Sequence, residues 1–192
     1  MPENVEIERR FLVDGRYNRP WVAESSDKIF ITQWYLDSEA FDASDETGSL
    51  SYGNLPLVIG VDPEDCRTIS EHSNWTVRIR RWNSTYFLTL KGMRTGASAS
   101  EYEWELPSGI AANIVQDSTH PHIEKNRYLW EGSDGMLWEI DEFEGSLSGL
   151  IIAEVELERE DSEIRIPEWA GMELTHLKGW SNASLARMIS HE

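Results

Sequence analysis

The stretch Trp75-Thr76-Val77-Arg78-Ile79-Arg80-Arg81-Trp82-Asn83-Ser84-Thr85-Tyr86-Phe87-Leu88-Thr89-Leu90-Lys91 alternates twice and turns once. Side chains two apart on a strand share a face. Arg78 and Arg80 therefore stand opposite Val77 and Ile79, and Thr89 and Lys91 stand opposite Leu88 and Leu90. Trp82-Asn83-Ser84 between them reads as a hairpin turn. Two antiparallel strands thus carry one charged face and one apolar face. The fold depends on whether that charged face looks out into water or inward.

Working outward, the same alternation predicts strands at 5–13, 28–36, 75–82, 85–91, 101–106, 122–130, 135–143 and 150–160. Glu6, Glu8 and Arg10 share a face against Val5 and Ile7. Glu101, Glu103 and Glu105 oppose Tyr102, Trp104 and Leu106. Lys125 pairs with Arg127, Glu139 with Asp141, and Glu154, Glu156 and Glu158 oppose Val155 and Leu157. A second turn is expected at Gly132-Ser133-Asp134-Gly135. Helices are expected at 108–116 and from a cap at Ser181 or Asn182 to about Ser190. Residues 37–74 begin polar, then hold an apolar patch at 55–61 and a short helix at 63–71. They read as an insertion between two strands of one domain spanning 1–192.

A sheet with one face in water would also alternate. Two details favour an inward charged face. The charges are sorted by strand, acid with acid and base with base, and like neighbours repel unless an opposite charge lies between them. The chain also has only 17 Lys and Arg against 35 Asp and Glu, yet Arg10, Arg78, Arg80, Lys91, Lys125 and Arg127 all fall on these faces. The expected fold is mostly β (α+β): a closed antiparallel barrel, polar inside, with peripheral helices over an apolar exterior.

The net charge of −18 disfavours nucleic acid and anionic lipid as partners. No stretch is apolar enough for a membrane span, and the first residues lack the layout of a signal peptide. Cys66 is a single cysteine, so a cytoplasmic setting is expected. A small-molecule substrate is the expected partner, and a homodimer is an open expectation. His120 and His122 read as loop histidines; Trp104, Trp130 and Trp138 read as outer packing.

Rings of Arg and Lys suit phosphate oxygens. Glu and Asp without His or Cys suit hard cations, Mg²⁺ or Mn²⁺. Together they describe a phosphoryl-transfer site.

These motifs, in order, resemble the CYTH proteins, the triphosphate tunnel metalloenzymes that include thiamine triphosphatase-like members. Glu6-Ile7-Glu8-Arg9-Arg10 resembles the family's opening ExExK signature, and Gln33-Trp34-Tyr35-Leu36 its second strand. Arg78-Ile79-Arg80, Thr89-Leu90-Lys91, Glu101-Tyr102-Glu103 and Lys125-Asn126-Arg127 resemble its next four strands. Glu139-Ile140-Asp141 and Glu154-Val155-Glu156 resemble the last two, and Lys178 a late tunnel lysine. The chain departs from the family in three places: Arg10 where the signature has Lys, Gly179 and Ser181 in the late motif, and the 37–74 segment.

The resemblance implies an eight-stranded tunnel and metal-dependent hydrolysis of a linear triphosphate, inorganic triphosphate first. An adenylate cyclase, or a non-catalytic polyphosphate or nucleotide sensor, are the alternatives. It assigns two ions. Glu6, Glu8, Glu154 and Glu156 are expected to hold the first; Glu101, Glu103, Glu139 and Asp141 to hold the second or to position water. Arg78, Arg80, Lys91, Lys125, Arg127 and Lys178 bind phosphate. Arg10, Glu101 and Glu103 act beside the reacting group. Ten inward carboxylates against six bases leave four uncompensated charges, or three with Lys178. A triphosphate of about −4 to −5 entering such a wall requires added cations.

Overall fold

The computed structural model describes residues 4–16, 18–116 and 119–190. Strand β1 (Val5–Val13) is followed by a one-turn helix α1 (Trp21–Glu24) and β2 (Asp27–Tyr35). Next come β3 (Phe41–Ser44), β4 (Ser49–Tyr52), β5 (Leu55–Ile59) and helix α2 (Pro63–Glu71). The quoted hairpin forms β6 (Thr76–Trp82) and β7 (Thr85–Lys91), with Asn83 at φ 54° in the turn. Strand β8 (Ser98–Leu106), helix α3 (Ser108–Val115), and the hairpin β9 (His122–Glu131) and β10 (Leu137–Phe143) follow. The last elements are β11 (Ile151–Glu156), β12 (Ala170–Glu173) and helix α4 (Asn182–Ile189).

Eight strands run in the ring order β1, β11, β10, β9, β2, β6, β7, β8 and return to β1, every pairing antiparallel. Closure rests on the registers Glu8↔Glu156 and Arg10↔Glu154 on one side of β1, and Val5↔Ser100 on the other. A closed ring leaves no unpaired edge within itself. Strand β12 adds to β1 beside β8, with Phe11 opposite Glu173.

The apolar faces look outward, under the helices. Val77, Ile79, Leu88 and Leu90 pack with Cys66 and Ile69 of α2 and with Ala111 and Val115 of α3. Residues 37–74 build a small sheet, β3-β4-β5, whose Leu50 and Leu57 enter the same cluster. Phe11, Trp138, Ile140 and Val155 pack beneath Trp21 on another side. Full burial of each such side chain stabilises by about 1.5–3 kcal/mol. No helix among the described residues is long and apolar enough to cross a membrane.

The inward face departs from the expectation of charge throughout. Tyr35, Ile123, Phe143 and Ile152 share strand faces with Gln33, Lys125, Asp141 and Glu154, yet they join Leu185 and Ala186 of α4 in a third apolar cluster. One end of the barrel is thus filled by an apolar plug that continues into α4. The boundary differences have local causes. Strand β8 starts at Ser98 because Ser98 and Thr95 exchange two backbone hydrogen bonds. Strand β11 stops at Glu156, four residues early, and Glu160 turns to accept from the Ala97 amide (3.2 Å) and the Ser98 hydroxyl (2.8 Å). Helix α4 is capped by Ser181, whose Oγ accepts from the Ser184 amide at 3.2 Å.

Candidate active site

The barrel encloses a cavity of about 860 Å³, lined by all eight ring strands, by the loop after β7 and by the segment around Lys178. That size suits a small polyanion with its hydration. Three groups of side chains make the wall.

The first lies on β1, β7 and β8. Lys91 Nζ pairs with the Glu6 carboxylate and lies 3.3 Å from Glu101 and 3.7 Å from Glu8. Arg94, on the loop after β7, pairs with Glu8 and donates to the Ala97 carbonyl at 2.8 Å. Burial, then the nearby Glu8 carboxylate, pushes the Glu6 pKa up to about 8. Glu156, paired with Glu8 across the closing register, is also raised, by burial, Glu8 and Glu101. Burial opposes the charge of Lys91, but Glu8, Glu6 and Glu101 outweigh it and raise its pKa.

The second group is the β6 wall. Arg80 Nη2 donates to both Glu103 oxygens (2.8 and 2.7 Å), and the Thr89 hydroxyl donates to Glu103 at 2.8 Å. Arg78 lies 3.7 Å from Glu101. The Nε atoms of both Arg78 and Arg80 are buried with no hydrogen-bond partner. Burial, then the adjacent Arg78, lowers the Arg80 pKa. Glu103 pairs with Arg80 and Glu101 lies near Arg78, yet each guanidinium keeps one buried donor free.

The third group is saturated. Arg127 clasps Asp141 with Nε and Nη2, both at 2.7 Å, reaches Glu154 at 3.1 Å and pairs with Glu139. Arg10 donates to Glu154 at 2.7 Å and to the Trp180 carbonyl at 3.0 Å. Burial opposes the Glu154 carboxylate, yet Arg10, Lys125 and Arg127 hold its pKa well below the usual range.

The structure thus sorts the expected residues. Glu6, Glu8, Arg10, Arg78, Arg80, Lys91, Glu101, Glu103, Arg127, Glu139, Glu154, Glu156 and Lys178 all line the cavity. Lys125 and Asp141 do not. Both are fully buried behind the wall and paired with each other. Burial, then Arg127, lowers the Lys125 pKa to about 8. Arg10, expected beside the reacting group, instead has its donors on Glu154 and the Trp180 carbonyl. Lys178 is exposed at the cavity's mouth. Glu105 and Glu158 are exposed and off the wall. Sequence reasoning missed Arg94 and Arg187, which lie on a loop and a helix where strand alternation gives no signal. Their charge, in a base-poor chain, was the one available clue.

Among the described residues, no group of three or more His, Cys, Asp or Glu is arranged to hold a metal ion. Glu6, Glu8, Glu101, Glu139 and Glu154 are each turned to a base instead. The donor chemistry still fits a hard divalent cation. Glu6, Glu8 and Glu156 are oxygen donors crowded enough to raise two of their own pKa values, and such crowding is relieved by positive charge.

A family model described as the CYTH domain matches residues 64–188. The chain belongs to the CYTH family. Among CYTH relatives, the inorganic triphosphatase of Acetivibrio thermocellus is 42% identical over 113 residues, covering 58% of this chain and 72% of that protein. The inorganic triphosphatase of Nitrosomonas europaea is 36% identical over 115 residues, covering 59% of this chain and 76% of that one. A crystal structure of the inorganic triphosphatase NE1496 superposes with a TM-score of 0.55 at 27% identity, covering 94% of this chain and 93% of that one.

Proposed function

We propose that this CYTH protein hydrolyses inorganic triphosphate with a divalent cation, Mg²⁺ or Mn²⁺, inside its barrel. The observation that carries the reading is the pair of buried, unpartnered guanidinium Nε atoms of Arg78 and Arg80. A buried donor without an acceptor is costly, and phosphate oxygens would supply the acceptors. The relatives named above act on inorganic triphosphate according to their names.

Arg78 and Arg80 would grip the phosphate chain from the wall, with Arg127 adding positive charge from within its carboxylate clasp, Lys91 beside the carboxylates and Lys178 at the mouth. Glu6, Glu8 and Glu156 would hold the cation, with Glu101 at its edge. A bound cation would neutralise phosphate charge and acidify a water molecule. The guanidiniums would stabilise charge on the transferred phosphoryl group without moving, since Glu103, Asp141 and Glu154 already fix them. Lys125 and Asp141 would serve as positioning residues for Arg127. We place the enzyme in the cytoplasm, consistent with a sequence that carries one cysteine, the buried Cys66, and so no intrachain disulfide. Residues 37–74 would belong to the same single domain, consistent with the core they share with the barrel.

Inorganic phosphate release from triphosphate should fall to background after exhaustive chelation and return with Mn²⁺ or Mg²⁺. Full activity in the chelated protein would overturn the reading.

A further inference from the structure

Arg94 lies off every strand, on the loop joining β7 to β8. Its Nη2 pairs with the Glu8 carboxylate and lies 3.9 Å from Glu6, while Nη1 donates to the Ala97 carbonyl at 2.8 Å and reaches the Glu8 carbonyl at 3.4 Å. The guanidinium therefore sits where a cation shared by Glu6 and Glu8 would sit. Lys91 is placed by its strand, opposite Thr76 in the register of β6. Arg94 is placed only by its own side chain.

The loop beneath it is firm. Gly96 takes φ +65°, a conformation glycine adopts without strain, and a β-carbon there would come within 2.8 Å of the Glu160 carboxylate. Glu160 also accepts from the Ala97 amide and the Ser98 hydroxyl. With the backbone held, a change of χ angles alone can move the guanidinium, and its side chain keeps 21% of its exposure, so there is room for the motion.

We propose that Arg94 is an exchangeable counter-ion: it neutralises Glu8 while the carboxylate pocket holds no divalent cation, and turns to a phosphate oxygen of the substrate once a cation occupies Glu6 and Glu8. This rests on the metal reading given above. A guanidinium and a divalent cation repel each other and compete for the same carboxylate oxygens, so both cannot keep them. The displaced guanidinium remains on the cavity wall, where a planar fork matches phosphate. The same residue then sets a threshold against cation alone and adds grip for the substrate.

The test is Mn²⁺ titration of the chelated full chain by calorimetry and by electron paramagnetic resonance, for wild type, Arg94→Gln, Arg94→Met and Arg94→Lys. Arg159→Gln serves as a control, since Arg159 pairs with Asp161 at the surface and off the cavity. Without substrate, Arg94→Gln and Arg94→Met should bind Mn²⁺ about tenfold more tightly than wild type, while Arg94→Lys and Arg159→Gln stay near it. With Mn²⁺ saturating, the two neutral variants should raise KM for inorganic triphosphate more than they lower kcat. Equal or weaker Mn²⁺ affinity in folded Arg94→Gln or Arg94→Met overturns the exchange and leaves the metal site standing. No Mn²⁺ binding in wild type overturns the metal reading itself, and the exchange with it.

Discussion

On the flank built by β9, β10 and β11, Arg127 holds Asp141 and Glu154, Lys125 backs Asp141, and Arg10 closes on Glu154 from the neighbouring strand. On the flank built by β1, β7 and β8, Lys91 and Arg94 serve Glu6, Glu8 and Glu101, with Glu156 adding negative charge. The first flank matches donors to acceptors. The second leaves carboxylates competing, and the cost registers in the raised pKa of Glu6. The first flank is also the drier: Lys125, Asp141, Arg127 and Arg10 are almost fully buried, whereas Lys91, Arg94, Glu6 and Glu101 are partly exposed. Burial and the balance of charge together separate scaffold from site.

That contrast is broken most forcefully by Asp141→Asn. It strands the fully buried Lys125 without its counter-charge, and removing one partner of a buried pair costs about 3–5 kcal/mol. Urea unfolding should register a loss of that order; a loss below about 1 kcal/mol would mean this flank is not a scaffold. On the opposite flank, Glu8→Gln should leave the unfolding midpoint near wild type and lower turnover roughly a hundredfold, about 2.7 kcal/mol of transition-state stabilisation. Near-normal turnover would remove Glu8 from the cation's ligands.

A smaller effect sharpens the picture of the scaffold. Lys125 has a folded pKa of about 8, lowered from 10.5. Between those values the unfolded chain holds this proton and the folded chain does not, so stability from this group rises with pH across the window and is lost as pH falls through about 8. Comparing unfolding of wild type and Lys125→Met at pH 7 and pH 9.5 should move the difference in favour of wild type at the higher pH. A constant difference would contradict the lowered pKa.

The smallest effect is expected at Arg10. Arg10→Lys keeps the charge near Glu154 and should change turnover less than about tenfold. Arg10→Ala should cost more, about 1.5–3 kcal/mol, the worth of a hydrogen bond to a charged group. A large gain in Arg10→Lys, with a new ionisation in its pH profile, would instead identify a missing base.

Strand alternation made the barrel legible because period two is a property of neighbouring residues. β1 and β7 match their expected spans of 5–13 and 85–91. The plug was not legible. Ile123, Phe143 and Ile152 occupy inward positions on charged faces, and only the arrival of α4 makes that end of the barrel dry. For the same reason Lys125 and Asp141 carried the sequence signature of wall residues while the fold placed them behind it. Arg94 escaped because a loop residue's direction depends on contacts far along the chain, here with Glu8. The β3-β4-β5 sheet was partly visible, as an apolar patch and a helix, without its strand pairing.

Ring closure also sets an order of events during synthesis. β1 is made well before its partners, since Val5 pairs with Ser100 and Arg10 with Glu154. At roughly 5–20 residues per second, about seven to thirty seconds pass between making β1 and making β11, which closes on it. An apolar strand left unpaired that long would invite wrong partners. Glu6, Glu8, Arg9 and Arg10 keep this one hydrated instead. The carboxylates that crowd the finished tunnel thus first act as a guard for a growing chain, holding β1 in reserve until β11 emerges.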